Sequence, residues 1–257
     1  MSEPRLSFVI PARNEEALIG EALDAILASV ARASGVSRHD LWLPDTSIEV
    51  IVADDGSEDA TAAIVGTFAD DAGVRLVPCT GRSCAAARNA GTAASSGRVL
   101  CFVDADTIVP ENAVVRILQL HEEEGRCVVL YRLASLEPGI RAWLWWTFWG
   151  LARRLPLARA KSMPGFMSCD RTHFETYGPF EESWAIAEEW PLTGAAYRDH
   201  NERFLYDRSL TARTSSRRME LQRFGYVRTF LKWVSVVLFR WARTSLDDRI
   251  RHQTGTP

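Results

Sequence analysis

The sequence predicts an α/β fold, a parallel sheet with helices on both faces. Two observations carry that prediction. From Leu6 to Tyr131, short apolar runs alternate with segments of helical periodicity. The first, second and fourth of these runs lead into polar groups: Arg13-Asn14, Asp54-Asp55 and Asp104-Ala105-Asp106. In open α/β sheets ligands gather beyond the carboxyl ends of the strands, so three polar ends predict one crevice.

Leu6-Ser7-Phe8-Val9-Ile10 reads as the first strand, closed by Pro11, which lacks an amide donor. Asn14 is placed to cap the helix that follows, with Glu15 and Glu16 in its first turn. Leu18, Ala22, Ile26 and Val30 then give that helix a buried stripe. Residues 32–47 are polar, broken by Gly35 and Pro44, and read as a surface connection. Ile48 to Ala53 is the second strand, and Asp59 opens a second helix to about Asp71. Val74 to Val77 is a third strand, and Cys84 to Ala94 a third helix.

Val99 to Val103 is the fourth strand, leading into Asp104-Ala105-Asp106. If the triplet stays extended, its two carboxylates point the same way, because side chains alternate along a strand. Two like charges so placed repel unless a cation shares them, and a hard cation with oxygen ligands answers that need. The plainer reading of Asp-x-Asp alone is two solvated aspartates. Pro110 and Glu111 start a helix to about Glu124, and Cys127 to Tyr131 is a fifth strand.

Beyond Tyr131 the alternation stops. Trp143, Trp145, Trp146, Phe148 and Trp149 crowd together, which fits a helix packed on the sheet or a membrane or acceptor surface. Gly165 to Ser168 reads as a strand and Gly178-Pro179 as a turn. Glu188-Glu189 precede Trp190-Pro191, where Pro191 suits the first position of a helix to about Asp199. Residues 224–241 mix apolar side chains with Arg228, Lys232 and Arg240, the pattern of an amphipathic helix. Such a helix fits an anionic membrane, a homodimer contact or simple docking on the domain.

Composition narrows the function classes. A chain of 257 residues with 47% hydrophobic and 25% charged residues is globular, and a net charge of −3 speaks against nucleic acid as the main partner. Arginines dominate after Tyr197, which favours phosphate groups or an anionic surface. Five cysteines without close pairing predict neither a zinc site nor a disulfide framework. Leu6 to Ile10 is too short for a signal-peptide core, and no run approaches a membrane span. A cytoplasmic protein is expected, peripheral at most to the inner face of a membrane.

Val9-Ile10-Pro11-Ala12-Arg13-Asn14-Glu15, Val52-Ala53-Asp54-Asp55-Gly56-Ser57, Ala87-Arg88-Asn89-Ala90-Gly91 and Val103-Asp104-Ala105-Asp106 occur in that order. Together they resemble the family 2 glycosyltransferases, over Phe8 to about Arg218. The resemblance implies the GT-A fold, a Rossmann-like mixed sheet with helices on both faces. It implies a domain over 1–220, with a nucleotide-binding half (1–132) and an acceptor half (133–220), followed by a basic amphipathic tail (221–257). It further implies that Pro11, Ala12, Arg13, Glu15 and an aspartate of Asp54-Asp55 hold the base and ribose, with Arg88 beside the nucleotide. Asp104 and Ala105 would face the sugar nucleotide, and Asp106, with Asp104, would hold Mg2+ or Mn2+.

The catalytic base of the family comes from a Glu-Asp pair at a helix start. Glu188-Glu189 stands there, with Glu189 in the aspartate's place and one methylene longer. Arg217-Arg218 resemble a basic loop that closes on the diphosphate; alternatively they form a solvated basic patch. The activity implied is an inverting hexosyltransferase of single addition, since Gln222-Arg223-Phe224 lacks the processive Gln-x-x-Arg-Trp signature. The donor would be a UDP-sugar ahead of a GDP-sugar, and the acceptor is left open, lipid-linked ones included. Competing readings are a sugar nucleotidyltransferase, which would carry a glycine-rich first loop, and an inactive membrane-associated binding module. A dinucleotide oxidoreductase is disfavoured because Gly-x-Gly-x-x-Gly is absent.

Overall fold

A computed structural model describes residues 4–43, 46–80, 83–156, 161, 165–184, 187–220 and 224–231. The chain separates into two compact units, Met1–Ser215 and Ser216–Pro257. In the first unit eight strands form one mixed sheet: β1 (Leu6–Ala12), β2 (Ile48–Asp54), β3 (Arg75–Pro78), β4 (Val99–Val103), β5 (Thr107–Ile108), β6 (Val128–Ser135), β7 (Phe166–Asp170) and β8 (Phe204–Thr214). Their order across the sheet is β3-β2-β1-β4-β7-β6-β8-β5. The helices are α1 (Ile19–Ser34), α2 (Thr61–Ala72), α3 (Cys84–Ala93), α4 (Ala113–Leu118), α5 (Ile140–Ala152), α6 (Arg171–Tyr177) and α7 (Trp190–Asp199), with α8 (Arg217–Glu220) in the second unit.

β1 pairs in parallel with β2 and β4, and β2 with β3. All seven residues of β1 and all five of β4 are buried, as strands covered on both faces require. The all-parallel expectation ends there. β7 runs antiparallel to both β4 and β6, so the sheet is mixed, as the family resemblance implied. β6 pairs in parallel with β8, and β5 returns antiparallel along β8. β8, the longest strand, has no counterpart among the strands read from the sequence.

α1 buries Ile19, Ala22, Leu23, Ile26, Leu27 and Val30, each worth about 1.5–3 kcal/mol over exposure for the larger side chains. It ends at Gly35, whose φ of 70° suits a left-handed cap. Asn14 does not cap it. Asn14 itself sits at φ 54°, and its side-chain oxygen instead accepts from the Glu58 N–H at 2.8 Å. The helix consequently begins at Ile19, after a turn in which the Glu15 carbonyl accepts from Leu18 and Ile19. α3 lies directly on β1 and β2. A Cβ at Gly91 would come 2.5 Å from Val9 Cγ1, so glycine is what allows that approach. Of the segment that was read as a carboxyl-terminal amphipathic helix, residues 225–231 are helical, and 232–241 lie outside the described residues.

Candidate active site

The carboxyl ends of β1 and β2 form one wall. Backbone pairing carries on past the strands, with the Asp55 N–H donating to the Ala12 carbonyl at 2.9 Å. Pro11 and Ala12 are buried, while Arg13 projects to solvent and its Nη1 lies 4.0 Å from Asp55 Oδ2. Asp54 turns inward: its Oδ1 accepts from the Ser57 hydroxyl at 2.5 Å and from the Ser57 N–H at 3.3 Å. The two adjacent aspartates therefore differ in role, Asp54 bracing the loop and Asp55 meeting Arg13. Glu15 is buried, and its N–H donates to Thr61 Oγ1 at 2.8 Å, which ties this wall to the start of α2.

The end of β4 forms the floor. Asp104-Ala105-Asp106 is not extended as the sequence implied. It makes a turn, in which the Thr107 N–H donates to the Asp104 carbonyl at 2.9 Å. The apolar Ala105 is buried, with a half-buried aspartate on each side. Asp106 Oδ1 accepts from Thr214 Oγ1 at 3.2 Å, so the end of β8 steadies it.

Arg88, on α3, joins the parts. Its side chain is 1% exposed, with Nη2 donating to Asp104 Oδ1 at 2.7 Å and Nη1 to Glu188 Oε1 at 2.5 Å. Its guanidinium carbon lies 5.5 Å from the Phe180 ring centroid, within cation–π range. Burial alone would lower the guanidinium pKa, but Cys84, Asp104 and Glu188 together hold it above the usual value. Arg88 thus stays charged and its two carboxylate partners are held beside a fixed cation. Its Nε–H is buried and makes no hydrogen bond among the described residues. Asn89, the next residue, fixes the segment that leads to Glu188: it donates to the Phe180 carbonyl at 3.0 Å and accepts from the Phe180 N–H at 2.9 Å.

Glu188 and Glu189 lie on different sides of the chain. Glu188 joins Arg88, while Glu189 is fully buried and its charge acts on Arg153. Burial pulls the Arg153 guanidinium down to about 10, against the opposing influence of Tyr206 and Glu189. Ala187, just before the pair, has φ 63°, a left-handed conformation uncommon for a residue with a Cβ. Glu189 then caps α7, its carbonyl accepting from the Thr193 N–H at 3.0 Å, and Pro191 is the second residue of the helix rather than the first.

The donor set fits a hard divalent cation that takes most of its ligands from elsewhere. Among the described residues no cluster of three or more His, Cys, Asp or Glu side chains gathers. Two carboxylates, Asp104 and Asp106, are what a Mg2+ site completed by substrate phosphates and water uses. The lack of a side chain at Gly165 keeps Asp104 Oδ2 uncrowded, since a Cβ there would stand only 3.1 Å from it. Arg217 and Arg218 begin α8 in the second unit.

Several participants escaped the sequence reading: Thr214, Gly165, Asn89, Phe180, Arg153 and Tyr206. Asn89 was visible as the residue after Arg88, but its tie to Phe180 spans 91 positions and leaves no local signal.

Residues 7–172 match the family described as Glycosyl transferase family 2. A probable glycosyltransferase YdaM of Bacillus subtilis (strain 168) is 34% identical over 141 residues, 51% of this chain and 30% of that protein. A validoxylamine A glucosyltransferase of Streptomyces hygroscopicus subsp. limoneus is 32% identical over 120 residues, 46% of this chain and 24% of its own length. The chain thus spans less than a third of either relative.

Two solved structures share the fold. Mannosyltransferase PcManGT from Pyrobaculum calidifontis, in complex with GDP-Man and Mn2+, has a TM-score of 0.60 at 20% identity, covering 84% of this chain and 58% of that one. Glucosyl-3-phosphoglycerate synthase from Mycobacterium tuberculosis, with Mn2+, uridine-diphosphate-glucose and phosphoglyceric acid, has a TM-score of 0.58 at 21% identity, covering 90% and 79%. The mixed sheet is the GT-A sheet, and with most of its length inside the family's boundaries the chain belongs to glycosyl transferase family 2.

Proposed function

We propose that the protein is a metal-dependent, inverting glycosyltransferase that moves one sugar from a nucleoside diphosphate sugar to an acceptor hydroxyl. The observation that carries this reading is the convergence at the strand ends. Arg13 with Asp55, and Arg88 with Asp104 and Glu188, meet beyond β1, β2 and β4 in a chain of this family. Pro11, Ala12, Arg13, Glu15 and Asp55 form the base and ribose wall, with Asp54 bracing its loop. Arg88 and Asp104 stand at the donor's sugar and ribose. Arg217 and Arg218 are assigned to the diphosphate.

Mg2+ or Mn2+ held by Asp106 and Asp104 would neutralise the diphosphate as it leaves. The relatives solved with Mn2+ and a UDP- or GDP-sugar support both the ion class and the donor class, and UDP is preferred here. The acceptor hydroxyl needs a carboxylate to take its proton as it attacks the anomeric carbon from the opposite face. Glu189 is assigned as that base. Glu188 is already committed to the Arg88 cation, whereas the charge of Glu189 acts on Arg153. We divide the first unit accordingly, with 1–132 binding the nucleotide and the rest of the unit the acceptor. No helix among the described residues is long and apolar enough to cross a membrane.

Thermal unfolding of the full chain with UDP- and GDP-sugars, with and without Mn2+, tests the proposal. One donor should raise the melting temperature only when Mn2+ is present, and Asp106→Ala should abolish that increment. Stabilisation by the donor that is unaffected by Mn2+ and by Asp106→Ala would refute the metal role.

A further inference from the structure

A cavity of about 340 Å³ lies between α5 and the β6–β8 pair. Its lining combines Trp143 and Trp146 with three guanidinium side chains, Arg132, Arg154 and Arg208. Arg132, Arg154 and Arg208 are exposed, and among the described residues none has a carboxylate within ion-pair distance. Glu137, in the same lining, accepts hydrogen bonds from the Ser135 and Ser215 hydroxyls instead. Three cations around one concave, aromatic-walled space form a site for an anion, and guanidinium groups suit phosphate best.

The helix over this cavity has an unusual outer face. Of the large apolar residues in α5, only Trp149 is buried. Ile140, Trp143, Leu144, Phe148 and Leu151 are exposed, Trp143 at 59%, and Leu155 continues the face just beyond the helix. Their spacing of three and four places them on one side. Trp143 and Leu151 belong both to this face and to the cavity lining, so the apolar surface runs into the basic pocket without a break. An apolar helical face bordered by arginines is the arrangement that seats in the interface of an anionic membrane.

Residues of the lining also touch the neighbours of Asp104 and Asp106. Leu133 lines it, and the position that a Cβ at Gly165 would take is 3.1 Å from both Leu133 Cδ1 and Asp104 Oδ2. Ser215 donates its hydroxyl to Glu137 and its N–H to the Asp106 carbonyl, two hydrogen bonds between the lining and the second aspartate. On the other side Tyr206 lines the cavity, and with Glu189 it favours the charged form of Arg153.

We propose that this cavity holds the phosphate head group of a membrane lipid that is the sugar acceptor, with α5 lying in the membrane surface. The assignment rests on the transferase reading above. The lipid's hydroxyl oxygen forms the new bond to the anomeric carbon, and its proton passes to the carboxylate base. The nucleoside diphosphate leaves with the electron pair of the broken bond.

Vesicle flotation of the full chain tests it, with phosphatidylcholine alone and phosphatidylcholine mixed with phosphatidylglycerol, which carries both a phosphate and free hydroxyls. The wild-type chain should float with the mixed vesicles and not with phosphatidylcholine alone. Arg132→Gln/Arg154→Gln/Arg208→Gln should weaken that binding by about 100-fold, the loss of three basic contacts at a membrane. Trp143→Ser/Leu151→Ser should weaken it without touching any charge. Both variants leave residues 216–257 unchanged, so undiminished flotation would show binding through that basic stretch and overturn the assignment. Glycerol phosphate competing at micromolar concentration would overturn it in favour of a soluble acceptor. A lipid-free dimer that Trp143→Ser/Leu151→Ser dissociates would overturn it in favour of a second copy of the chain. Donor-induced stabilisation of the wild-type chain is measured in parallel, because its absence sinks the transferase reading while the flotation result stands separately.

Discussion

Removing the Arg88 cation should unbalance the site more than any surface change could. Arg88→Met keeps an apolar stem but leaves Asp104 and Glu188 without the cation that both carboxylates bind. The side chains of Arg88 and Glu188 are 1% and 9% exposed, so water can compensate little on that arm. Losing one partner of a buried ion pair costs about 3–5 kcal/mol. For a unit the size of 1–215 that corresponds to a fall in melting temperature of roughly 6–20 °C. Arg88→Lys should lose less, about 1.5–3 kcal/mol, because one ammonium cannot serve two carboxylates as the guanidinium fork does. The decisive measurement is a double-mutant cycle by chemical denaturation. Glu188→Gln in the Arg88→Met background removes the stranded charge, and should restore about 1 kcal/mol or more relative to additivity. A cycle that closes additively, or an Arg88→Met protein as stable as wild type, would refute the view that this arginine holds the two carboxylates together.

Two other outcomes are expected. Glu189→Gln should retain donor-induced stabilisation and lose sugar transfer, whereas Glu188→Gln should weaken donor binding through Arg88 and Asp104. If transfer survives in Glu189→Gln and vanishes in Glu188→Gln with donor binding intact, the base has been assigned to the wrong carboxylate. At the opposite end of the strands, Glu49 accepts from the Ser7 hydroxyl at 2.6 Å, the Ser96 N–H at 2.6 Å and the Gly97 N–H at 3.1 Å. Burial would raise its pKa, but these donors and Arg75 outweigh it and hold the carboxyl below its usual 4.5. A carboxyl depressed in the folded state stabilises above its unfolded pKa, and that contribution fades as pH falls through the folded value. Glu49→Gln should therefore cost about 1–3 kcal/mol near neutral pH. The gap to wild type should narrow below about pH 4.5 in urea titrations, and a gap independent of pH would count against this role.

How far the sequence could be read followed from how local each cause is. β1, β2 and β4 were legible because strands buried on both faces leave uninterrupted apolar runs, such as Val99 to Val103. β8 was not, since the exposed Arg208 and Arg213 interrupt its apolar pattern and join it to the run of arginines after Tyr197. Asn14 has the chemistry of a helix cap, yet tertiary contact with the Glu58 N–H claimed its side chain. At the site, the residue types at strand ends could be read from spacing, but their partners could not. Arg88 and Glu188 are 100 positions apart, and nothing near either one announces the other. Two neighbouring glutamates looked interchangeable in the sequence. The turn after Ala187 leaves one bonded to Arg88 and the other acting on Arg153.

The reversed direction of β7 has a consequence for how such a protein can diversify. β6 ends at Ser135 and β7 begins at Phe166, and because the two are antiparallel, the chain leaves and re-enters the sheet at the same rim. That rim is also where β4 delivers Asp104, since Val103 pairs with Phe166. The tryptophan-rich α5 lies between those two points, on an excursion that leaves and re-enters the sheet beside Asp104. Lengthening or replacing such an excursion adds closure entropy that grows only with the logarithm of its length. The strand registers that hold the donor end would stay as they are. On the proposed reading, recognition of the acceptor can accordingly be exchanged as a cassette while the donor-binding strand ends keep their registers.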